Sequence, residues 1–134
     1  MTPQLLTEIY CVKHADLTYK IRGAIYDVYK ELGPGLFEKV YEIYLSKRLF
    51  DLGIQCKRQV SFSVELDEEI IEVGYRLDLL VEDTVIVEIK SVESLNEVHH
   101  KQLLTYLKLS KKEVGILVNF NTSDITKSIF RKVM

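Results

Sequence analysis

Gly74-Tyr75-Arg76-Leu77-Asp78-Leu79-Leu80-Val81, followed after a short turn by Val85-Ile86-Val87-Glu88-Ile89-Lys90, is the stretch on which the reading of the fold turns. Both halves are aliphatic enough to be strands of a buried sheet, yet both are interrupted by charge. Alternation along the second half puts Thr84, Ile86, Glu88 and Lys90 on one face and Val85, Val87 and Ile89 on the other. A carboxylate and an ammonium in the middle of an apolar strand are costly to bury unless each is paired, so their presence needs a reason. Asp78, set between Leu77 and Leu79, breaks the first strand in the same way.

The turn decides whether these groups can meet. In an antiparallel hairpin, directly opposed residues share a face and their numbers sum to a constant. A two-residue turn at Glu82-Asp83 sets Asp78 against Val87, on the wrong face to join Glu88. A three-residue connection, Glu82-Asp83-Thr84, pairs Val81 with Val85 and puts Asp78 across from Glu88; this register, or a bulge with the same effect, is the one expected. Two carboxylates and a lysine at one spot suit magnesium-assisted phosphodiester hydrolysis, which needs oxygens for a hard cation and a positive group near the water or phosphate. A buried charge cluster that only pairs with itself is the plain alternative.

Outward from this hairpin, the pattern predicts helices before it and a helix and strand after it. Leu17, Ile21, Ala24, Ile25, Val28 and Leu32 form a helical stripe with Asp16 as its N-cap. Gly33-Pro34-Gly35 stops that helix. A second helix is expected over residues 36–52, ended by Gly53 in a left-handed C-cap. Residues 55–66 read as a strand, Asp67-Glu68-Glu69 as a turn and residues 70–81 as the next strand. After the strand over 85–90, Ser94 and Glu97 have the form of a capping box opening a helix to about residue 109. A fourth strand over 114–120 and a short tail complete the chain. The order is helix, helix, three strands, helix, strand: an α/β or α+β domain with a central mixed four-stranded sheet flanked by helices, and one domain over residues 1–134.

The chain has 134 residues, 47% of them hydrophobic, enough for one buried core. Its formal net charge of −2 lacks the basic excess of an indiscriminate phosphate binder. Cys11 and Cys56 are far apart and read as reduced thiols rather than zinc ligands. Asn121-Thr122-Ser123 matches a glycosylation acceptor, but no charged-then-apolar leader is present, and no apolar run approaches the roughly 20 residues of a membrane span. A soluble, cytoplasmic protein is expected.

Asp78, the strand and turn after it, and Glu88-Ile89-Lys90 together resemble the defining pattern of PD-(D/E)XK nucleases, with Leu77 where that pattern has proline. Gly35-Leu36-Phe37-Glu38-Lys39-Val40-Tyr41 resembles the Gly-x-x-Glu-x-x-Tyr signature of a small bacterial and archaeal family within that superfamily. The likeness extends to Leu32-Gly33-Pro34-Gly35-Leu36, to Gly74-Tyr75-Arg76, and to the later helix with His99, Gln102 and Tyr106. Gln102 and Tyr106, four apart on one helix face, also resemble a motif of the RecB-like exonuclease branch, where such a helix lies beside the active site. The resemblance implies a restriction-endonuclease-like fold and a nuclease using Mg2+ or Mn2+. It implies that Asp78 and Glu88 bind metal, Lys90 assists catalysis, Glu38 adds a carboxylate, and Gln102 and Tyr106 orient substrate or the lysine.

Arg76, two before Asp78, can pair with a carboxylate or hold a substrate phosphate. His99, three before Gln102, can contact a phosphate, whereas His99 and His100 point about 100° apart and make a poor ligand pair. The scattered basic positions read as solvated surface. The eight tyrosines read as core or interface rather than base-stacking platforms, with site roles only for Tyr41 and Tyr106. The expected partner is nucleic acid, DNA ahead of RNA, with a homodimer possible; a non-catalytic binding module on the same fold is the alternative.

Overall fold

The computed structural model describes residues 14–134, so Cys11 lies outside the described residues. Helices α1 (Ala15–Leu32) and α2 (Glu38–Asp51) come first. Strands β1 (Cys56–Leu66), β2 (Glu69–Val81) and β3 (Val85–Lys90) follow, then helix α3 (Glu97–Ser110), strand β4 (Val114–Asn119), a 3-10 turn over Ile125–Lys127 and strand β5 (Ile129–Val133). The sheet runs in the order β1-β2-β3-β4-β5. Only β3 and β4 are parallel, joined by the α3 crossover, so the sheet is mixed as expected. It has five strands among the described residues rather than four. The segment read as a tail is β5, which pairs with β4 from Val114↔Val133 to Val118↔Ile129. As an edge strand carrying Arg131 and Lys132 it lacks the apolar run of a central strand, which hid it.

The sheet is covered on both faces. Under α1 and α2 lie Leu79, Val81, Val85, Val87, Ile89, Val114, Ile116 and Val118; under α3 lie Leu77, Leu80, Ile86 and Leu117 with Leu103 and Leu107. All six residues of β4 are buried, as for a central strand buried on both sides. A Cβ placed on Gly115 would stand 2.8 Å from Leu103 Cδ1, so glycine here lets α3 lie close on the sheet.

Three helix ends differ from, or sharpen, the sequence reading. Asp16 is not the N-cap of α1: His14 holds that place at φ 58° without a side-chain cap bond. Asp16 sits instead in the first turn, where a negative charge suits the helix dipole, and pairs with Lys20 at 3.4 Å. Helix α2 ends as foreseen at Gly53, whose φ is 75°. The bonds Gly53 N–H to Phe50 O and Ile54 N–H to Leu49 O complete a Schellman motif, with Ile54 and Leu49 buried together. The capping box of α3 is formed by Asn96 and His99, not Ser94 and Glu97. Asn96 Oδ1 accepts from Val98 N and His99 N, and His99 Nδ1 accepts from Asn96 N at 3.1 Å.

Candidate active site

The β2–β3 turn has the expected register, with Val81↔Val85, Leu80↔Ile86 and Leu79↔Val87 paired. Glu82 and Asp83 both take positive φ, and Thr84 N–H closes on Val81 O. The ladder stops at Leu79↔Val87, and beyond it side chains take over. Asp78 N–H donates to Glu88 Oε1 at 3.1 Å, and Ile89 N–H donates to Asp78 Oδ2 at 2.8 Å. The two carboxyls thus stand in the place of the next rung.

Alternation slips at this point. Leu77 packs with Leu80 on the α3 face rather than with Leu79 under α2. Gln59, between Arg58↔Leu79 and Val60↔Leu77, has a φ of 53°, in the sparsely populated left-handed region. Arg76 is exposed and its side chain has no hydrogen bond or ion pair among the described residues. Because of the slip, the two-residue spacing that put Arg76 on the face of Asp78 does not carry across.

Glu88 is only 3% exposed. Burial, and then the neighbouring charge of Asp78, push its carboxyl up to about 9. Burial raises Asp78 as well, against the opposing effect of the Ile89 N–H. A buried and a half-buried carboxyl this close are costly to ionise together. Lys90 Nζ donates to Gln102 Oε1 at 3.0 Å, and Gln102 Nε2 donates to the Tyr106 hydroxyl at 3.2 Å. Burial, and then the charge of Glu88, raise the Tyr106 hydroxyl. Asp78, Glu88 and Lys90 are therefore brought together as the spacing suggested, and Gln102 and Tyr106 join them as the resemblance implied.

Glu38 and His99 are placed differently. Glu38 is exposed, and its Oε2 accepts from Ser91 N–H at 3.2 Å, one residue beyond Lys90. His99 spends Nδ1 on the Asn96 cap, which leaves Nε2 as its N–H side. His100 turns away and packs edge-on against Phe130 at 4.7 Å. Tyr41 is fully buried, stacked on Phe120 at 4.3 Å, and its hydroxyl donates to Gly33 O and accepts from Leu36 N–H. It ties α2 to the loop before it rather than facing a ligand.

Sequence reasoning missed Glu42. It is 4% exposed, and its charge acts on Asp78, raising it. Arg58 bonds its Oε2 through Nε and Nη2, both at 3.0 Å, and Gln59 bonds Oε1. The signal was available: Glu42 lies on the stripe of Tyr41, Leu45 and Leu49 that faces the core.

The donor set fits a hard divalent cation. Asp78 Oδ2 and Glu88 Oε1 are committed to backbone N–H groups, while each carboxyl keeps a second oxygen, and magnesium is typically held by one or two carboxylates with water and phosphate completing its shell. No cluster of three or more metal-ligating side chains occurs among the described residues. Among these residues no helix is long and apolar enough to cross a membrane.

No curated protein and no solved structure matches the chain. A family model described as the PD-(D/E)XK nuclease superfamily matches residues 15–132, a span that takes in every strand paired at the site and the helix bearing Gln102 and Tyr106. With a mixed sheet between helices and an acidic pair beside a lysine at the end of β3, the chain belongs to the PD-(D/E)XK nuclease superfamily.

Proposed function

We propose that this protein is a divalent-metal-dependent nuclease that hydrolyses phosphodiester bonds in nucleic acid, DNA ahead of RNA. The observation that carries the reading is the half-buried Asp78 set against the buried Glu88 beside Lys90, since crowding two like charges out of water is costly and is relieved by a cation. Asp78 and Glu88 would hold Mg2+ or Mn2+, which supplies charge neutralisation on the phosphate and an acidified water. Lys90, held by Gln102, which in turn is anchored on the Tyr106 hydroxyl, brings an ammonium to the attacking water or to a non-bridging phosphate oxygen. Glu42 adds negative charge on the Asp78 side, and its pairing with Arg58 keeps that charge stable when buried. Glu38 positions the chain after Lys90 through Ser91 N–H, while Arg76 and His99 Nε2 are donors for substrate phosphates. The stretch from Gly35 to Tyr41 supports placement in the Gly-x-x-Glu-x-x-Tyr branch, and a cytoplasmic location and a homodimer belong to the same reading.

Calorimetric titration of manganese into the protein and into an Asp78→Ala/Glu88→Ala variant tests this, together with cleavage assays on DNA and RNA. Binding and cleavage both lost in the variant support it. Cleavage undiminished in Asp78→Ala and Lys90→Ala, each alone, rejects the assignment.

A further inference from the structure

The β1–β2 hairpin is much longer than the strand beside it: β1 has 11 residues and β2 has 13, against 6 in β3. Pairing to β3 ends at Leu79↔Val87, so the part of the hairpin beyond Asp78 overhangs the sheet next to α3. Three aromatic rings gather where this overhang meets α3. Phe62 and Tyr75 stack at 5.7 Å with their planes 21° apart; the Tyr106 ring meets Phe62 edge-on at 5.6 Å and Tyr75 at 5.7 Å.

The cluster grades from buried to open. Tyr106 and Phe62 are half-buried, whereas Tyr75 remains 41% exposed, and its hydroxyl has no hydrogen bond among the described residues. The backbone is irregular beside it: Gly74 has a φ of 75°, and the strand register shifts between Phe62 and Val64. At its inner end the cluster reaches the site, because the Tyr106 hydroxyl accepts from Gln102, whose Oε1 holds Lys90.

We propose that Tyr75, backed by Phe62 and Tyr106, is a stacking platform for an unpaired base next to the scissile phosphate, so that the preferred ligand is single-stranded nucleic acid or a frayed end. This rests on the nuclease reading for what happens at Lys90, but not for the binding itself. A base in a duplex already has both faces covered, so only an unstacked base can lie on an exposed ring. Such stacking tolerates any base, because every base has a π face.

The test is binding of a single-stranded oligonucleotide carrying 2-aminopurine, with calcium replacing magnesium, to the wild type, Tyr75→Ala, Tyr75→Leu and Tyr75→Phe. The leucine variant keeps an apolar contact for Phe62 without a π face, which guards against loss of the hairpin. The expected result is quenching on binding to wild type and Tyr75→Phe. Affinity for the single strand should fall about 5- to 150-fold in Tyr75→Ala and Tyr75→Leu, with duplex affinity unchanged. Equal affinities in all four proteins, equal losses on duplex and single strand, or no binding by the wild type overturns the platform. Magnesium-dependent cleavage without Tyr75-dependent stacking sinks the platform alone. Stacking in a protein that takes up no manganese and cuts nothing sinks the nuclease reading alone.

Discussion

Glu88 accepts the backbone N–H of Asp78, and Asp78 accepts the backbone N–H of Ile89, so each carboxyl caps the strand that carries the other. The pair is thereby built into the sheet, and its protonation is coupled to folding.

Stability without metal should therefore fall as pH rises. The Glu88 carboxyl, pushed up to about 9 by burial and by Asp78, holds its proton in the folded chain at pH values where the unfolded chain, ordinarily near about 4.3, has released it. The unfolded state binds fewer protons over that window, so unfolding free energy declines from about pH 4.5 towards about pH 9. Melting temperatures measured across this range should slope downward in EDTA, flatten with manganese, and flatten in Glu88→Gln. A wild-type melting temperature that climbs with pH in EDTA would contradict the raised carboxyl.

Lys90→Ala should lower cleavage on the order of 100-fold or more, with the fold unchanged by circular dichroism. Gln102→Ala removes a hydrogen bond to that lysine and one to the Tyr106 hydroxyl, with the ammonium itself kept, and should cost roughly 5- to 10-fold. Steady-state rates in magnesium check both, and a Gln102 effect as large as that of Lys90 would assign Gln102 a direct contact with substrate.

Arg58→Met leaves Glu42 buried without its ion pair. Because the Arg58 side chain is partly open to solvent, destabilisation should lie near the low end of the range for broken buried pairs, about 3 kcal/mol. Adding Glu42→Gln should restore much of that loss in urea melts while weakening manganese binding. Restored stability with unchanged manganese affinity would make the pair purely structural.

Gly115→Ala should overpack the contact with Leu103 and cost about 1–3 kcal/mol. Since Leu103 adjoins Gln102 on α3, the same change should shift the lysine clamp and lower cleavage in protein that remains folded at the assay temperature. A neutral effect on the melting temperature would show that Leu103 finds another rotamer.

Much of the fold was legible because its signals are local. The stripe from Leu17 to Leu32, the glycine stop at Gly53 and the buried run of β4 each follow from periodicity or backbone freedom. Strand β5 was missed because an edge strand needs only one partner and tolerates Arg131 and Lys132. The α3 cap was misplaced because Asn96 with His99 satisfies the same orphan N–H groups as the expected Ser94 with Glu97. In the site, arithmetic on the turn sufficed for Asp78 and Glu88, since period and register are properties of a single hairpin.

By itself the sequence determined the element order around the hairpin and which charged residues could meet across it, Asp78, Glu88 and Lys90, because each depends on spacing along one or two adjacent segments, while the three-residue turn that brings them together was fixed by the observed register. Tertiary structure alone decided that Glu42 and Arg58 form a buried pair on the α2 side, that Glu38 turns to Ser91, and that Tyr75 stands open against Phe62 and Tyr106. Those placements depend on a slip of alternation at Asp78 and on how closely helices approach the sheet, which are set by packing between segments distant in the chain.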